Sequence, residues 1–205
     1  MSDLLELCNF SIHRNDITLF EPLSLIIEAG QAYELRGQNG VGKTSLLETL
    51  AGLNASFEGN FSLHKPSLYI SQNPPFNPDE TLLENLSFWA TFWKQPDLLK
   101  NANALETWRL KHLSSLPYKH LSQGQQQRAS LARLSLKQAP LWLLDEPTAA
   151  LDQGSLESFK AALKIHLQQG GGALIATHHS LELPHKITLK APKTQPHDSS
   201  LKAVA

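Results

Sequence analysis

The stretch Gly37-Gln38-Asn39-Gly40-Val41-Gly42-Lys43-Thr44 fits the pattern GxxxxGK[ST] and constrains this chain more than any other feature. Phosphate groups are anionic and need a concave ring of backbone N–H donors. Glycines at 37, 40 and 42 let the backbone approach closely and adopt positive φ. The residues before the loop, Ala32 to Arg36, alternate like a strand, and those after it, Thr44 to Leu50, have helical spacing. Strand, glycine loop and helix is the context the pattern requires. The helix points the positive end of its dipole at the same anion. Lys43 is placed to reach the outer phosphates and Thr44 to give its hydroxyl to Mg²⁺. Gln38, Asn39 and Val41 supply further backbone around the phosphates. Alone, the loop implies a nucleoside triphosphate and nothing finer.

Length and charge set the frame. A chain of 205 residues has room for one domain with a full core. With 18 Lys and Arg against 19 Asp and Glu, it shows no basic surplus that would favour nucleic acid. The single cysteine, Cys8, has no internal disulfide partner, which suits a reducing compartment, and its place in a strand-like run predicts burial. The first residues do not read as a signal peptide, and no apolar stretch is long enough to span a bilayer.

Along the chain, residues 4 to 35 read as strands, with Cys8, Phe10 and Ile12 alternating, Arg14-Asn15-Asp16 in a turn, and Leu23 to Ile27 as a second run. Phe57 to Asn60 reads as a turn, and Leu68 to Ile70 as a short strand. Three prolines at 74, 75 and 78 forbid a helix there. Helical spacing follows from Thr81, with Leu82, Leu86, Trp89 and Trp93 on one stripe and Phe88 and Phe92 beside it. Further helices are expected over residues 96–111, 123–138 and 155–168, and buried strands over 141–144 and 173–177. Strands alternating with helices predict a parallel sheet with helices on both faces, and the tail from Lys190 is expected to fray.

Four more stretches narrow the chemistry. Asp145 and Glu146 end a buried strand, where ligands bind in open α/β sheets. Asp145 suits a Mg²⁺ site, and Glu146 suits orientation and deprotonation of an attacking water. The run Leu121 to Arg128 opens a helix with Ser122 and Gly124, a second anion-binding helix start, which is best used on the nucleotide of a partner chain. His178 ends the last core strand and is placed to donate to the γ-phosphate, with His179 the weaker choice of the pair. Gln72, between a strand and the proline-rich turn, can contact Mg²⁺ or the attacking water.

These motifs, in this order, closely resemble those of ATP-binding cassette (ABC) ATPases. Residues 37–44 match the family's Walker A, Gln72 its Q-loop, and 121–125 its signature, with Ser122, Gly124 and Gln125 as nucleotide contacts. Residues 141–146 match Walker B with the catalytic glutamate, 150–152 the D-loop, and His178 the switch histidine. Gln123 stands where most members have glycine, and Arg14 stands where an aromatic usually stacks on adenine, a role its guanidinium plane can take. The resemblance implies a P-loop NTPase core of the ABC type over residues 1–205, with a small antiparallel β subdomain and a helical subdomain near 73–137. It also implies ATP and Mg²⁺, and a homodimer of cassettes on integral membrane subunits at the cytoplasmic face of the inner membrane. Within the family the chain is most similar to the haem-exporter ATPases of cytochrome c biogenesis, in which a periplasmic haem chaperone is a further partner. A transporter for a lipid or small metabolite is the alternative. A non-transport ABC protein acting on nucleic acid fits less well, because the chain has one cassette and no basic excess. The aromatic helix at 88–93 reads either as the docking face for the membrane partner or as core packing.

Overall fold

The computed structural model describes residues 2–14, 17–54, 56–95 and 104–192. At its centre is a five-stranded parallel sheet in the order β6-β7-β8-β4-β9, built from β4 (Ala32–Arg36), β6 (Ser67–Ile70), β7 (Leu141–Asp145), β8 (Gly172–Ala176) and β9 (His185–Thr188). β7 and β8 are buried at every residue, as continuous apolar strands between two covered faces must be. Side chains alternate across them. Trp142, Leu144, Ala173 and Ile175 face one core, and Leu141, Leu143, Leu174 and Ala176 face the other.

The two cores are made differently. The first lies under the helices α2 (Leu82–Phe92), α4 (Gln123–Ala132) and α5 (Gln153–Gln168), with the single-turn α3 (Ala104–Thr107) beside them. The second lies between the sheet, the helix α1 (Lys43–Leu50) and a second, antiparallel sheet. One face of the parallel sheet is therefore covered by α1 together with strands, not by helices alone. The antiparallel sheet is organised on the long strand β1 (Asp3–Arg14), which pairs with β2 (Ile17–Thr18), β3 (Leu23–Glu28) and β5 (Phe57–Leu63).

Several expectations are corrected here. Residues 57–60 are not a turn; they begin β5. Gly59 lies there because a Cβ would come within 2.3 Å of the Asn9 carbonyl oxygen. Cys8 is exposed. The reason is a bulge: the register of β1 shifts between Leu7 and Phe10 against β3 and between Cys8 and Ser11 against β5, and Asn9 has φ 46°. The extra residue breaks the in–out alternation and turns Cys8 outward. The Asn15–Asp16 part of the expected turn, and most of the tail beyond Lys190, lie outside the described residues. The expected helix over 96–111 does so up to residue 103; from there the chain forms α3 and then a 3₁₀ turn at Lys111–Leu113. The helix expected to reach 138 stops at Ala132 and tightens to a 3₁₀ turn, Arg133–Ser135, which brings Ser135 Oγ within 3.3 Å of Trp108 Nε1. β9, which sequence reading missed, alternates between half-buried and exposed residues and so carries no apolar run.

On α2 the stripe of Leu82, Leu86, Trp89 and Trp93 packs inward, while Phe88 and Phe92 remain 58% and 63% exposed. Their rings stack on each other with centroids 6.2 Å apart. The inner aromatics hold a cation: the Arg133 guanidinium lies 4.4 Å from the Trp89 ring and 5.5 Å from that of Trp93.

Candidate functional site

Four loops leave the carboxyl edge of the parallel sheet and meet around a cavity of about 590 Å³. The turn after β4 brings Asn39, Gly40, Gly42, Lys43 and Thr44; the end of β6 brings Gln72; β7 brings Asp145 and Glu146; β8 brings His178 and His179. Arg14 and Leu19, from the antiparallel sheet and its following loop, close one side.

The glycine loop has the required shape. Gly42 caps α1 at φ 104°, and a Cβ there would meet Leu19 and Phe20 at about 3.1 Å. No side chain caps this helix, so its first N–H groups are left for a ligand. Lys43 is buried, and its Nζ donates to the carbonyls of Gly37 (2.9 Å) and Gln38 (3.3 Å). Those two bonds aim the ammonium and leave its third N–H for an anion. Gly37, Gln38 and Val41 do not line the cavity; Val41 packs into the second core.

Thr44 Oγ1 donates to Asp145 Oδ2 at 2.8 Å, joining α1 to the end of β7. Burial raises the Asp145 pKa, and the Thr44 hydroxyl, Lys43 and His178 act against that rise. Tyr69, on the neighbouring strand, has a buried hydroxyl with no hydrogen-bond partner, and burial with the charges of Asp145 and Glu48 pushes its pKa up.

Glu146 is held in an unusual way. Its backbone is left-handed, φ 48°, which costs a non-glycine residue about 1–3 kcal/mol. Its N–H donates to the Ala176 carbonyl at 2.9 Å, and its Oε2 accepts the His178 N–H at 3.3 Å. Oε1 lies 3.4 Å from His178 Nε2, an ion-pair distance that lacks hydrogen-bond alignment, so this buried oxygen makes no hydrogen bond. A buried carboxylate oxygen without a hydrogen bond, at a cavity lined by the glycine loop, suits a general base.

Ser122, Gly124 and Gln125 are not brought to this cavity. They form the start of α4, where Ser122 Oγ accepts the Gln125 N–H and Gln125 Oε1 accepts the Ser122 N–H, a reciprocal capping box. Gly124 lies against Ala150, whose carbonyl oxygen would be 2.8 Å from a Cβ. Sequence reasoning also passed over two buried polar residues. Gln127 donates from its Nε2 to the carbonyls of Glu146 (3.2 Å) and Pro147 (2.9 Å). Glu34, fully buried, accepts the Leu181 and Leu183 N–H groups on Oε1 and the Arg36 guanidinium on Oε2, tying the loop beyond His178 to β4. Burial works to raise the Glu34 pKa, but these hydrogen bonds outweigh it and hold the carboxyl below its usual value. Neither residue has a sequence signal: Gln127 lies in a glutamine run and Glu34 in an alternating strand.

Comparison with known proteins places this arrangement. Residues 20–149 match the family model described as ABC transporter, and the chain belongs to that family as an ATP-binding, ATP-hydrolysing subunit. It is 40% identical over 183 residues to a protein of Paracoccus denitrificans named cytochrome c biogenesis ATP-binding export protein CcmA, covering 89% of this chain and 86% of that one. A protein of the same name from Ruegeria pomeroyi is 39% identical over 184 residues, covering 89% of each. Among solved structures, an ATP-binding cassette captured as a dimer after hydrolysis, with ADP and phosphate bound, has the same fold. Its TM-score is 0.80 at 22% identity, over 91% of this chain and 94% of that one. An ATP-binding subunit of another ABC transporter matches with a TM-score of 0.77 at 24% identity, over 85% and 79% of the two chains.

Proposed function

We propose that this chain is the ATPase of an export complex serving cytochrome c biogenesis, that haem is what the complex handles, and that residues 1–205 work as one cassette. The observation that carries the chemistry is the Glu146 carboxylate, held beside His178 at the rim of a glycine-loop cavity. The similarity to CcmA proteins over nearly nine-tenths of the chain supports the cytochrome c assignment.

In this reading ATP enters the cavity with its phosphates on the N–H groups of residues 39–44 and its γ-phosphate at Lys43. Arg14 stacks on the adenine by its guanidinium plane. Thr44, Asp145 and Gln72 offer oxygen donors on one side of the cavity, a set that suits a hard divalent cation. Among the described residues no group of three or more His, Cys, Asp or Glu forms a cage, so the protein alone would not enclose such an ion. Thr44, Asp145 and Gln72 would hold Mg²⁺ there, and the ion would supply neutralisation of phosphate charge. Glu146 accepts a proton from water, the water oxygen bonds to the γ-phosphorus, and the bridging oxygen leaves with ADP. His178 donates from its imidazole to the γ-phosphate oxygens.

The start of α4, displaced from the chain's own cavity, serves the nucleotide of a second copy. Two chains packed head to tail give two composite sites, each with Lys43 from one chain and Ser122, Gly124 and Gln125 from its partner. Among the described residues no helix is long and apolar enough to cross a membrane. The exposed pair Phe88 and Phe92 is the docking face for integral membrane subunits on the cytoplasmic side. A haem chaperone acts beyond them, and nucleic acid has no part.

The test is to tag the chain in its host, solubilise membranes gently, identify what co-purifies and record the haem absorbance. Small integral subunits with a haem-bearing chaperone are expected. A different permease discards haem and keeps the ATPase; no membrane protein at all discards the export reading.

A further inference from the structure

Gln127 joins two parts of the molecule that face different nucleotides. On one side it belongs to α4, whose first turn carries Ser122 and Gly124. On the other, its amide bonds the carbonyls of Glu146 and Pro147, with the side chain 8% exposed. The turn it holds is strained at two places, Glu146 (φ 48°) and Ala150 (φ 59°). Both touch α4: Glu146 through Gln127, and Ala150 through its carbonyl packed on Gly124. Glu146 is followed by proline, which disfavours a helical conformation in the residue before it. Among the described residues, the other backbone bonds at Glu146 are the one from its N–H to Ala176 and the one from the Ala149 N–H to its carbonyl, 3.2 Å. Neither reaches the Pro147 carbonyl. Among the described residues, the Gln127 amide alone spans both peptides and anchors them to a helix.

We propose that Gln127 is a positioning residue for ATP hydrolysis: its amide locks the Glu146–Pro147 turn so that the Glu146 carboxylate faces the cavity, and it links that turn to the α4 start that caps the partner's nucleotide. The inference rests on the functional reading above. Closure of one composite site moves α4, and α4 moves the glutamate that acts in the other. Gln127 touches no reacting atom; it acts through Glu146. Its removal frees the turn to relax toward negative φ and swings the carboxylate away from the water it must deprotonate, without altering the phosphate loop.

The experiment replaces Gln127 in the full-length chain by leucine, which keeps the bulk and removes the donor, with Gln127→Met as a second variant should the first fail to fold. ATP hydrolysis is followed against ATP concentration, and nucleotide binding is measured separately. The expected result is a kcat lower by roughly 10- to 100-fold, as misplacement of a catalytic group produces, with KM and ATP affinity within about twofold of wild type. A Hill coefficient above one is expected for the wild-type pair, falling to about one in the variant because the link between sites is lost. A purely structural role would lower stability and leave the Hill coefficient alone. A wild-type kcat, an unchanged Hill coefficient, or an equal loss of ATP affinity overturns the proposal. Glu146→Gln is assayed beside it. If that variant hydrolyses ATP normally, the functional reading falls and this inference with it; if it is dead while Gln127→Leu is unaffected, the inference alone falls.

Discussion

Two helix starts in this chain carry the residue types of an anion site, and they are finished in opposite ways. α1 begins at a left-handed glycine with no side-chain cap, so its N–H groups open into a cavity walled by three other loops. α4 begins with a serine and a glutamine that cap each other, outside that cavity. Both starts carry the same dipole. What separates them is whether the chain supplies the rest of the site. Around α1 it provides Lys43, Asp145, Glu146 and His178; around α4 it provides the Ala150 turn as a floor. A helix dipole alone does not define a site, and under the proposed head-to-tail pairing the second start becomes one only against another chain.

The contrast can be broken by mutation. The largest effect belongs to Lys43→Ala, which removes the ammonium aimed by Gly37 and Gln38; ATP affinity measured by equilibrium binding should fall by about 100-fold, near 2.7 kcal/mol. An unchanged affinity would mean that α1 is no more a phosphate site than α4. Next is Glu34→Gln, expected to lower folding stability by about 2 kcal/mol through loss of charge-assisted bonds to Arg36, Leu181 and Leu183. Because the folded pKa of Glu34 lies below its ordinary value of 4.5, its contribution is present above that value and is lost as pH falls through the folded pKa. Denaturant titrations run from pH 7 downward should therefore show the gap between wild type and variant held near neutrality and closing only on the acid side of 4.5.

Gly124→Ala comes third. Its methyl group would meet the Ala150 carbonyl, so turnover should drop about tenfold while ATP binding to the single chain is kept, because α1 is untouched. Loss of binding in that variant would place both helix starts at one site. The smallest effect is Thr81→Ala, which removes a capping box of the same design from α2, whose residues do not line the nucleotide cavity. Thermal melts should show a loss of about 1 kcal/mol with kcat unchanged. Set beside Ser122→Ala, it separates what a cap does for a helix from what it does for a ligand.

The parts legible in the sequence were those where chemistry dictates both residue type and spacing. The phosphate loop, Asp145-Glu146 and His178 lie at the ends of strands that periodicity locates, and the cavity assembles them together with Gln72 and Arg14. The misreadings have local causes. Gly59 looked like a turn residue, yet it is required by the bulge at Asn9 on the neighbouring strand, a contact between residues fifty positions apart. The same bulge exposes Cys8, which alternation had turned inward. β9 pairs with β4 without an apolar run, so nothing in its own residues announces it. Gln127 and Glu34 were unreadable for a related reason: each bonds the backbone of a distant loop, and backbone acceptors and donors leave no mark on sequence.

β7 has one last consequence, which is mechanical. Its side chains are clamped alternately into two separate cores, so it behaves as a beam gripped along both faces, with Asp145 and Glu146 at the projecting tip. Sliding or tilting the beam would open one core to compress the other, and close-packed interiors resist both. Deflection is thereby confined to the few residues beyond the grip. A stiff mount and a short compliant tip let a small displacement at the neighbouring helix arrive at the carboxylate undiminished.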